Sequence, residues 1–323
     1  MPDWLLYNGS RRTHDGIDRL PPPPPWRAFD GGPVLPIPSG GSGNEHQATT
    51  YRPSDDAVQQ VNAALYLRRP LLVTGVPGTG KSTLAYAVAH ELGLGPVLHW
   101  PITSRTTLRD GLYQYDPLTR LYAAGRDDAP REEDIGRYIR LGPLGTALLP
   151  YERPRVLLVD EIDKSDIDLP NDLLTIFEKG EYELPELSRR ADPSAEVMTA
   201  DGPGSRVTVT AGTVRCRAFP LVVMTSNGER EFPPAFLRRC VTVELRQPSG
   251  EAELSAIVRE HLGALADQSD DLVRRFFERS TSGTLATDQL LNAVYLCRHA
   301  DTDDRRALAD RIMPYLTGPI DDD

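Results

Sequence analysis

The chain has few cysteines: Cys216, Cys240 and Cys297 are the three among 323 residues, and they are far apart. Their spacing matches neither a zinc motif nor a disulfide framework, which predicts a protein of the reducing cytoplasm. No apolar run approaches the roughly 20 residues that a membrane-spanning helix requires. Residues 1–7 lack the basic region and long apolar core of a secretory signal. We therefore expect a cytoplasmic protein without membrane association.

The chain also lacks an excess of positive charge, since its formal net charge is −11. This balance argues against broad, non-specific binding to nucleic acid, which depends on neutralising phosphates. The hydrophobic content of 39% and the charged content of 26% are typical of a folded globular protein. A length of 323 residues is sufficient for two domains.

The most informative motif is a glycine-rich segment between the apolar run Leu71–Val73 and a predicted helix over Thr83–Ala89. A strand, a glycine-rich turn and a helix N-terminus are the context of a phosphate-binding loop, in which backbone N–H groups approach the phosphates. We expect Lys81 to reach the β- and γ-phosphates and the Ser82 hydroxyl to bind Mg²⁺. The predicted nucleotide-binding residues are Gly75, Val76, Pro77, Gly78, Thr79, Gly80, Lys81, Ser82 and Thr83.

Residues 1–50 differ in composition from the rest of the chain. A proline run, Pro21–Pro25, is followed by a Ser/Gly segment at 39–43 that is typical of a flexible linker. Aromatic residues are unusual in a disordered tail, and they indicate either docking on the folded domain or binding of a partner. These aromatic residues are Trp4, Tyr7, Trp26 and Phe29.

Residues 51–247 alternate between strand and helix patterns, which predicts an α/β domain with a parallel sheet covered on both faces. A helix over 54–67 has Ser54 as its predicted N-cap. Residues 206–216 alternate around Ala211 and Gly212, which predicts a β-hairpin. The predicted core strands are Pro70–Thr74, Val97–Trp100, Arg155–Val159, Leu221–Thr225 and Val241–Leu245.

Residues 248–323 show helical patterns only, at about 250–262, 270–280, 287–300 and 303–316. From residue 249 onward there are 15 acidic and 8 basic residues, so this part supplies −7 of the net charge of −11. We predict a small acidic helical domain.

A second motif is the apolar strand Val156–Val159, which ends in Asp160 and Glu161. A buried parallel strand delivers its last residues to the carboxyl edge of the sheet, where ligands bind. Asp160 can hold Mg²⁺ there, and Glu161 can polarise the water that attacks the γ-phosphate. The acidic residues that follow lack the glycine and closing glutamate of a calcium loop, so we interpret them as capping or solvated carboxylates. They are Asp163, Asp166, Asp168 and Asp172.

Two further motifs place polar or charged residues next to a core strand. In the first, the buried strand 221–226 ends before Asn227, whose amide can orient water and contact the γ-phosphate. Arg238 and Arg239 lie between a short helical pattern and the last core strand. Arginines at a helix end often only favour the helix dipole, but their other use is to stabilise charge on a transferring phosphoryl group from a neighbouring subunit.

The order of these elements resembles the AAA+ ATPases, which have a P-loop NTPase three-layer αβα core and a C-terminal helical lid. Within them the chain is most similar to the MoxR-type branch. The similarity covers about residues 51–316 and leaves the first 50 unexplained. It rests on the segments Gly142–Leu144, Val156–Lys164, Leu169–Leu174 and Glu181–Pro185, and on the hairpin before Asn227.

The resemblance implies roles for individual residues. Lys81 and Ser82 would hold phosphate and Mg²⁺, Asp160 would support the metal, and Glu161 would be the catalytic base. Asn227 would be the first sensor.

The resemblance also implies an arginine finger inserted into a neighbouring subunit's site. Arg239 matches it best, and Arg238 is the second candidate. The helix-2 insert would lie within 106–145 and a pre-sensor hairpin within 182–220, both directed at a central pore.

The chain departs from the family at the second sensor. An arginine usually opens the third lid helix, but residues 285–290 contain none and Asp288 would repel a γ-phosphate. Arg274 or Arg298 could substitute.

The main hypothesis is a ring-forming ATPase, with six subunits favoured, that couples Mg²⁺-dependent ATP hydrolysis to remodelling of protein partners. By resemblance, these partners would include proteins with von Willebrand factor A-type domains. The alternative is a nucleotide-gated signalling or scaffold module with slow hydrolysis, in a multi-protein or defence system. A third is a nucleic-acid-directed motor, which the acidic balance disfavours. No guanine-reading motif is apparent, so ATP is preferred over GTP.

Overall fold

The computed structural model describes residues 4–40, 44–124, 132–189, 194–266, 269–280, 285–299 and 305–314. The strands in chain order are β1 (Leu71–Thr74), β2 (Leu98–Pro101), β3 (Tyr113–Tyr115), β4 (Ile139–Leu141), β5 (Val156–Asp160), β6 (Glu181–Glu183), β7 (Ala195–Met198), β8 (Arg206–Val209), β9 (Thr213–Arg215), β10 (Leu221–Ser226) and β11 (Val241–Glu244). The α-helices are α1 (Glu45–Thr50), α2 (Asp55–Leu67), α3 (Lys81–Glu91), α4 (Leu108–Leu112), α5 (Pro117–Ala124), α6 (Pro143–Ala147), α7 (Leu169–Lys179), α8 (Pro185–Ser188), α9 (Pro234–Leu237), α10 (Glu251–Leu262), α11 (Asp270–Ser280), α12 (Thr287–His299) and α13 (Arg305–Ile312). Short 3₁₀ helices cover Gly16–Arg19, Pro25–Arg27, Glu132–Tyr138, Ile162–Lys164 and Gly263–Ala266.

A parallel sheet of five strands, in the order β11-β1-β10-β5-β2, lies at the centre of the fold. Its strands are short apolar runs; every residue of β10 and the first four of β5 are buried. Burial on both faces requires a layer of helices on each side, as in other parallel sheets. The predicted α/β class with a parallel sheet is confirmed, and each strand end lies within one residue of its predicted position.

Alternate residues of β1 belong to different sides of the sheet, as the two-residue period of a strand requires. Leu72 lies in one apolar cluster with residues of α6 and α7. Leu71 and Val73 lie in a second cluster with residues of α2 and α3. Helix α2 begins after Ser54, whose hydroxyl accepts the Ala57 N–H at 3.2 Å. The predicted N-cap is therefore confirmed.

The predicted β-hairpin over 206–216 is wrong in its pairing. The chain does turn at Ala211 and Gly212, which both have positive φ. However, β8 pairs antiparallel with β7, and β9 pairs antiparallel with β6. Alternation in the sequence indicates strands but does not identify their partners, and here each strand returns to an earlier one.

The region between β2 and β5 and the β7–β8 hairpin share a second sheet, in the order β3-β4-β7-β8. A buried ion pair fixes this sheet to the core. Arg155, directly before β5, donates from Nη2 to the Asp201 carboxylate at 2.6 Å and to the Pro96 carbonyl at 2.9 Å. Both charged side chains are nearly inaccessible to solvent. Residues 125–131 of the predicted insert and 190–193 of the predicted 182–220 segment lie outside the described residues.

Helices α10 to α13 pack around a third apolar cluster that includes Leu254, Val258, Phe276 and Leu290. They match the predicted helices after residue 249, except that α13 ends at Ile312, four residues before the predicted end at 316, because Pro314 disfavours a helical conformation at the residue before it. Positions 300 and 303 lie outside the described residues. The domain boundaries at residues 50 and 247 stay predictions. Among the described residues, no helix is both long enough and apolar enough to cross a membrane.

The N-terminal segment packs along α2 and α3. Leu6 and Tyr7 are buried in the cluster that these helices form with the sheet. The buried Asn62 side chain accepts their two backbone N–H groups at 2.7 and 3.1 Å and donates to the Tyr7 carbonyl at 2.7 Å. One amide thus satisfies the backbone of the segment where it enters the core.

A second anchor joins the segment to α3 and to the first lid helix, α10. Glu91, buried at the end of α3, accepts the backbone N–H groups of Asn8 at 2.7 Å and Arg11 at 3.0 Å. The Arg11 side chain extends to Glu260 of α10 at 2.8 Å. Arg52 pairs with the same carboxylate. The segment therefore contacts the core and the lid together.

Candidate functional site

The predicted phosphate-binding loop connects β1 to α3 at the carboxyl edge of the sheet. It comprises Gly75, Val76, Pro77, Gly78, Thr79 and Gly80, and helix α3 then begins with Lys81, Ser82 and Thr83. Gly78 and Gly80 have φ of +80° and +83°, a conformation that favours glycine. The loop is closed around Lys81, whose Nζ donates to the carbonyls of Gly75 at 2.7 Å and Val76 at 2.9 Å.

Lys81 is buried beneath the loop, and this burial lowers the pKa of its ammonium group. The negative charges of Asp163 and Asp160 oppose that shift. The ammonium group therefore sits among carboxylates at the position where a phosphate chain would enter the loop.

Asp160, the last residue of β5, lies against the first turn of α3. Its Oδ1 accepts the Ser82 hydroxyl at 2.6 Å and the Thr225 hydroxyl at 2.6 Å, and its Oδ2 lies 3.4 Å from His99 Nε2. Burial acts to raise the pKa of Asp160, but the donors around the carboxylate outweigh it and lower that pKa to about 2. The group is thus a carboxylate at any physiological pH.

Glu161 follows in the left-handed conformation, with φ +60° and ψ +50°. This conformation is uncommon for a residue with a side chain, and it turns the backbone N–H toward Thr225 Oγ1, which accepts it at 2.8 Å. The Glu161 side chain is 43% exposed and pairs with Lys164 at 2.8 Å. The side chain of the predicted catalytic base is therefore partly accessible to solvent.

Asn227 follows β10, next to the Asp160 strand in the sheet. Its backbone N–H donates to Asp163 Oδ2 at 2.9 Å, and the Glu229 N–H donates to the same oxygen at 3.1 Å. Asp163 is 3% exposed, so our interpretation of it as a capping or solvated carboxylate is wrong. It instead holds the turn that carries Asn227.

The residues present fit a Mg²⁺ ion with a triphosphate. Magnesium prefers oxygen ligands and keeps several waters, so a hydroxyl and one ionised carboxylate are a sufficient protein set. Ser82 and Asp160 provide that pair at 2.6 Å from each other. Among the described residues no group of three or more His, Cys, Asp or Glu side chains is suited to bind a metal.

The two candidate fingers lie at the opposite edge of the sheet. Arg239 precedes β11, and β11 runs parallel to β1 with Val241 beside Leu71. Because β1 ends at the phosphate loop, the length of this strand separates Arg239 from the loop, roughly 13 Å. Arg239 pairs with Glu178 at 2.5 Å, and Arg238 is exposed. Neither arginine belongs to the phosphate-loop site of its own chain.

The start of lid helix α12 packs on the phosphate loop. A Cβ added at Gly78 would lie 2.6 Å from Ala286 Cβ, so the two backbones are in close contact. No basic side chain occupies this position. Arg298 lies in the last turn of α12, about 16 Å along the helix from Thr287. Arg274 pairs with Glu251 at 3.8 Å and is largely exposed.

Sequence reasoning missed two residues of the site, Thr225 and His99. It named Asp163 but missed that this carboxylate is buried and holds the Asn227 turn. A signal for Thr225 existed in the sequence, because Thr225 is a polar residue at the end of the apolar run 221–224. The structure places it next to Asp160, one position beyond the pair Met224 and Val159. The prediction singled out only the residue after the strand and not the polar residues at its end.

Residues 70–240 match a family described as "AAA domain (dynein-related subfamily)", which is 171 of the 323 residues. No curated protein matches the chain. Among solved structures, NtrX from Brucella abortus in complex with ATP is 17% identical, covers 76% of this chain and 52% of its own, and has a TM-score of 0.40. The S. cerevisiae Hsp104–ADP complex is 18% identical, covers 75% and 43%, and has a TM-score of 0.42. The chain spans about half the length of these proteins.

Proposed function

Because the chain belongs to the AAA domain family, in its dynein-related subfamily, we propose that it is an ATPase that hydrolyses Mg²⁺-bound ATP. The observation that carries this proposal is the contact between the phosphate loop and the acidic strand end, Ser82 to Asp160 at 2.6 Å beside the buried Lys81. Phosphoryl transfer needs mainly positioning and charge stabilisation, and these residues provide both at one edge of the sheet.

Each residue has a role that its surroundings permit. Lys81 is held by two loop carbonyls, so it can exchange them for β- and γ-phosphate oxygens without a large movement. Asp160 and Ser82 would hold Mg²⁺, which would neutralise charge on the phosphates when bound. Glu161 can accept a proton from water once it leaves Lys164. Asp163 fixes the backbone of Asn227, whose side-chain amide would hold that water.

We further propose that the protein forms a ring, and the resemblance to the MoxR branch favours six subunits. The support is the position of Arg239 at the opposite sheet edge, too far from the phosphate loop of its own chain to act there. The remodelling of protein partners, including von Willebrand factor A-type proteins, and the cytoplasmic location are parts of the same proposal.

Two variants test the chemistry. Glu161→Gln should retain nucleotide binding and lose at least about 100-fold in turnover, because only the general base is removed. Arg239→Ala should lose on the order of 10³-fold at concentrations that assemble the wild type. The matched control is Arg246→Ala, since Arg246 is highly exposed and forms only a loose pair with Glu244.

Mixing inactive variants distinguishes a shared site from a site within one subunit. Lys81→Met lacks the phosphate contact and Arg239→Ala lacks the finger, so neither should hydrolyse ATP alone. A mixture should recover activity, because some boundaries then pair an intact loop with an intact finger. Full activity of Arg239→Ala alone would contradict the shared site, and so would the absence of recovery when two inactive variants assemble together.

A second function is a nucleotide-gated scaffold with slow hydrolysis. The start of α12 favours this function. It contacts the phosphate loop through Ala286 and has no arginine that could contact the γ-phosphate. Negligible turnover by the wild type, combined with ATP-dependent assembly, would support this second function over the first.

A further inference from the structure

Trp26 is an exposed aromatic residue next to an anchored arginine. Its side chain is 77% exposed. The next residue, Arg27, donates to the Arg68 carbonyl at 3.0 Å and to the Phe177 carbonyl at 2.7 Å, and its guanidinium lies 4.4 Å from the Phe219 ring centre. These contacts fix the short helix Pro25–Arg27 to the ends of α2 and α7. Trp26 is thus presented at a defined place and is not part of a loose tail.

The place is next to the candidate arginine finger. A cavity of about 260 Å³ is lined by Trp26 together with Arg69, Leu174, Phe177, Glu178 and Arg239. Arg69 also donates to the Arg238 carbonyl at 3.3 Å, which joins the cavity to the second candidate. We call this region the Trp26 surface; it combines apolar side chains with arginines at the amino edge of the sheet.

A surface of opposite character lies at the carboxyl edge, beside Glu161. There Ile167 is 61% exposed between two exposed aspartates. We call this region the Ile167 rim; its members are Asp166, Ile167, Asp168, Glu229 and Glu231. Helix α7 begins next to the rim at Leu169 and ends at the Trp26 surface, so the two regions are separated by about 16 Å of helix.

We propose that the Trp26 surface of one copy docks on the Ile167 rim of a second copy, with Trp26 as an anchor of the subunit boundary. This inference rests on the proposed ring. The Trp26 surface carries Arg27, Arg69 and Arg239 against one carboxylate, Glu178. The rim carries four carboxylates, with Lys164 and Arg230 beside them. The two regions therefore have opposite net charge, and each contains an exposed apolar residue. Because they are different surfaces of the same chain, the contact is head-to-tail, which is the type that a cyclic ring requires.

The same contact would bring Arg239 to the site that lacks it. The rim begins at Asp166, five residues after Glu161 and at the same edge of the sheet, so a copy docked there would place its arginines near the neighbour's phosphate loop. Tryptophan and arginine are the residues most enriched among those that dominate binding energy in interfaces. The N-terminal segment would therefore supply part of the subunit boundary, in addition to packing on its own core.

Sedimentation velocity in Mg²⁺-ATP tests the proposal, with Glu161→Gln as the background so that nucleotide is not consumed. Truncation of Trp26 to alanine should raise the concentration needed for assembly on the order of 30-fold, the scale of an interface hot spot. Tyr122→Ala is the matched control, since Tyr122 is 75% exposed and lies on α5, away from both surfaces. Nucleotide binding by the separate subunits should be unchanged, because Trp26 is remote from the loop.

Two further measurements make the test specific. If the residues meet across the boundary, the effect of Ile167→Ala and Trp26→Ala together should be smaller than the sum of the single effects. The fluorescence of Trp26 is the difference between the protein that contains it and its Trp26→Phe variant. Acrylamide should quench this difference less after assembly, because the indole becomes covered.

The outcomes separate this inference from the proposed function. If Trp26→Ala assembles at the wild-type concentration, the inference is overturned and the ring stands. Strictly additive effects would exclude the Ile167 rim as the docking site. A wild type that hydrolyses ATP yet stays monomeric at every concentration would remove the ring, and this inference with it. Unchanged assembly combined with loss of binding to another protein would show that Trp26 serves a different partner.

Discussion

The Thr225→Val substitution tests how the site is held together. The Thr225 hydroxyl is buried, donates to Asp160 Oδ1 at 2.6 Å and accepts the Glu161 N–H at 2.8 Å. Valine has almost the same shape but can make neither bond. The variant therefore removes one bond to a charged group and leaves one backbone N–H without its acceptor.

The expected loss follows from these two bonds. A hydrogen bond to a charged group contributes about 1.5–3 kcal/mol, and an unsatisfied buried N–H costs about 1–3 kcal/mol. Since the Asp160 side chain is 24% exposed, water can replace part of the first contribution. We therefore expect the lower part of the range, about 3 kcal/mol in total.

Urea unfolding at pH 7, followed by the fluorescence of the buried Trp100, measures this loss. With a slope of about 2–3 kcal/mol per M, the midpoint should fall by about 1 M or more. Thr225→Ser is the control: it keeps the hydroxyl, loses one methyl group and should lose only about 1 kcal/mol. A midpoint for Thr225→Val equal to that of Thr225→Ser would refute the reasoning.

The pH dependence gives an independent check with a defined sign. The pKa of Asp160 is lowered to about 2, so its ionisation stabilises the folded state above the unfolded pKa, about 3.9. That contribution is lost as the pH falls from about 4 toward 2. The difference between wild type and Thr225→Val should therefore be constant above about pH 5 and shrink below pH 4.

Four other predictions follow from described contacts. Asn62→Ala should lower stability by about 2–4 kcal/mol, because it leaves several backbone groups of residues 6 and 7 unpaired, and limited proteolysis should cut the N-terminal segment first. Asp201→Asn should lower the free energy of unfolding by about 3–5 kcal/mol, since Arg155 would keep a buried charge, whereas exchange of both residues for apolar ones should restore part of the loss. Gly78→Ala should weaken nucleotide binding at least about tenfold, because its Cβ would meet Ala286 and its φ is positive, with little effect on the melting temperature of the core. Burial raises the pKa of Cys216 and Cys240 to about 12, so at pH 8 these thiols should react with a maleimide on the order of 10³ times more slowly than in urea; equal rates would contradict their burial.

The sequence was sufficient to predict the core strands and the phosphate loop, because both depend on local patterns. An apolar run of four to six residues bounded by glycine or polar residues is a local signal, and so is the spacing from Gly75 to Ser82. The predicted strand ends differ from the structure by one residue at most.

The pairing of strands could not be predicted, because it depends on contacts between distant parts of the chain. Arg206–Val209 and Thr213–Arg215 are adjacent in sequence yet pair with different strands. The burial of Asp163 has the same origin: its carboxylate is enclosed only once β10 delivers the Asn227 turn beside it, 64 residues later. No local pattern distinguishes it from the exposed aspartates that follow.

Arg11 has a consequence for motion within the molecule. Its backbone is tied to the far end of the helix that begins at the nucleotide loop, and its side chain to Glu260 of the lid. If the lid swings on nucleotide exchange, this residue must either release Glu260 or be pulled along, and in the second case the displacement travels down the same segment toward Trp26. We expect amide hydrogen exchange at residues 8–14 to change between ATP and ADP, whereas identical exchange in both states would mean that the segment does not sense the lid.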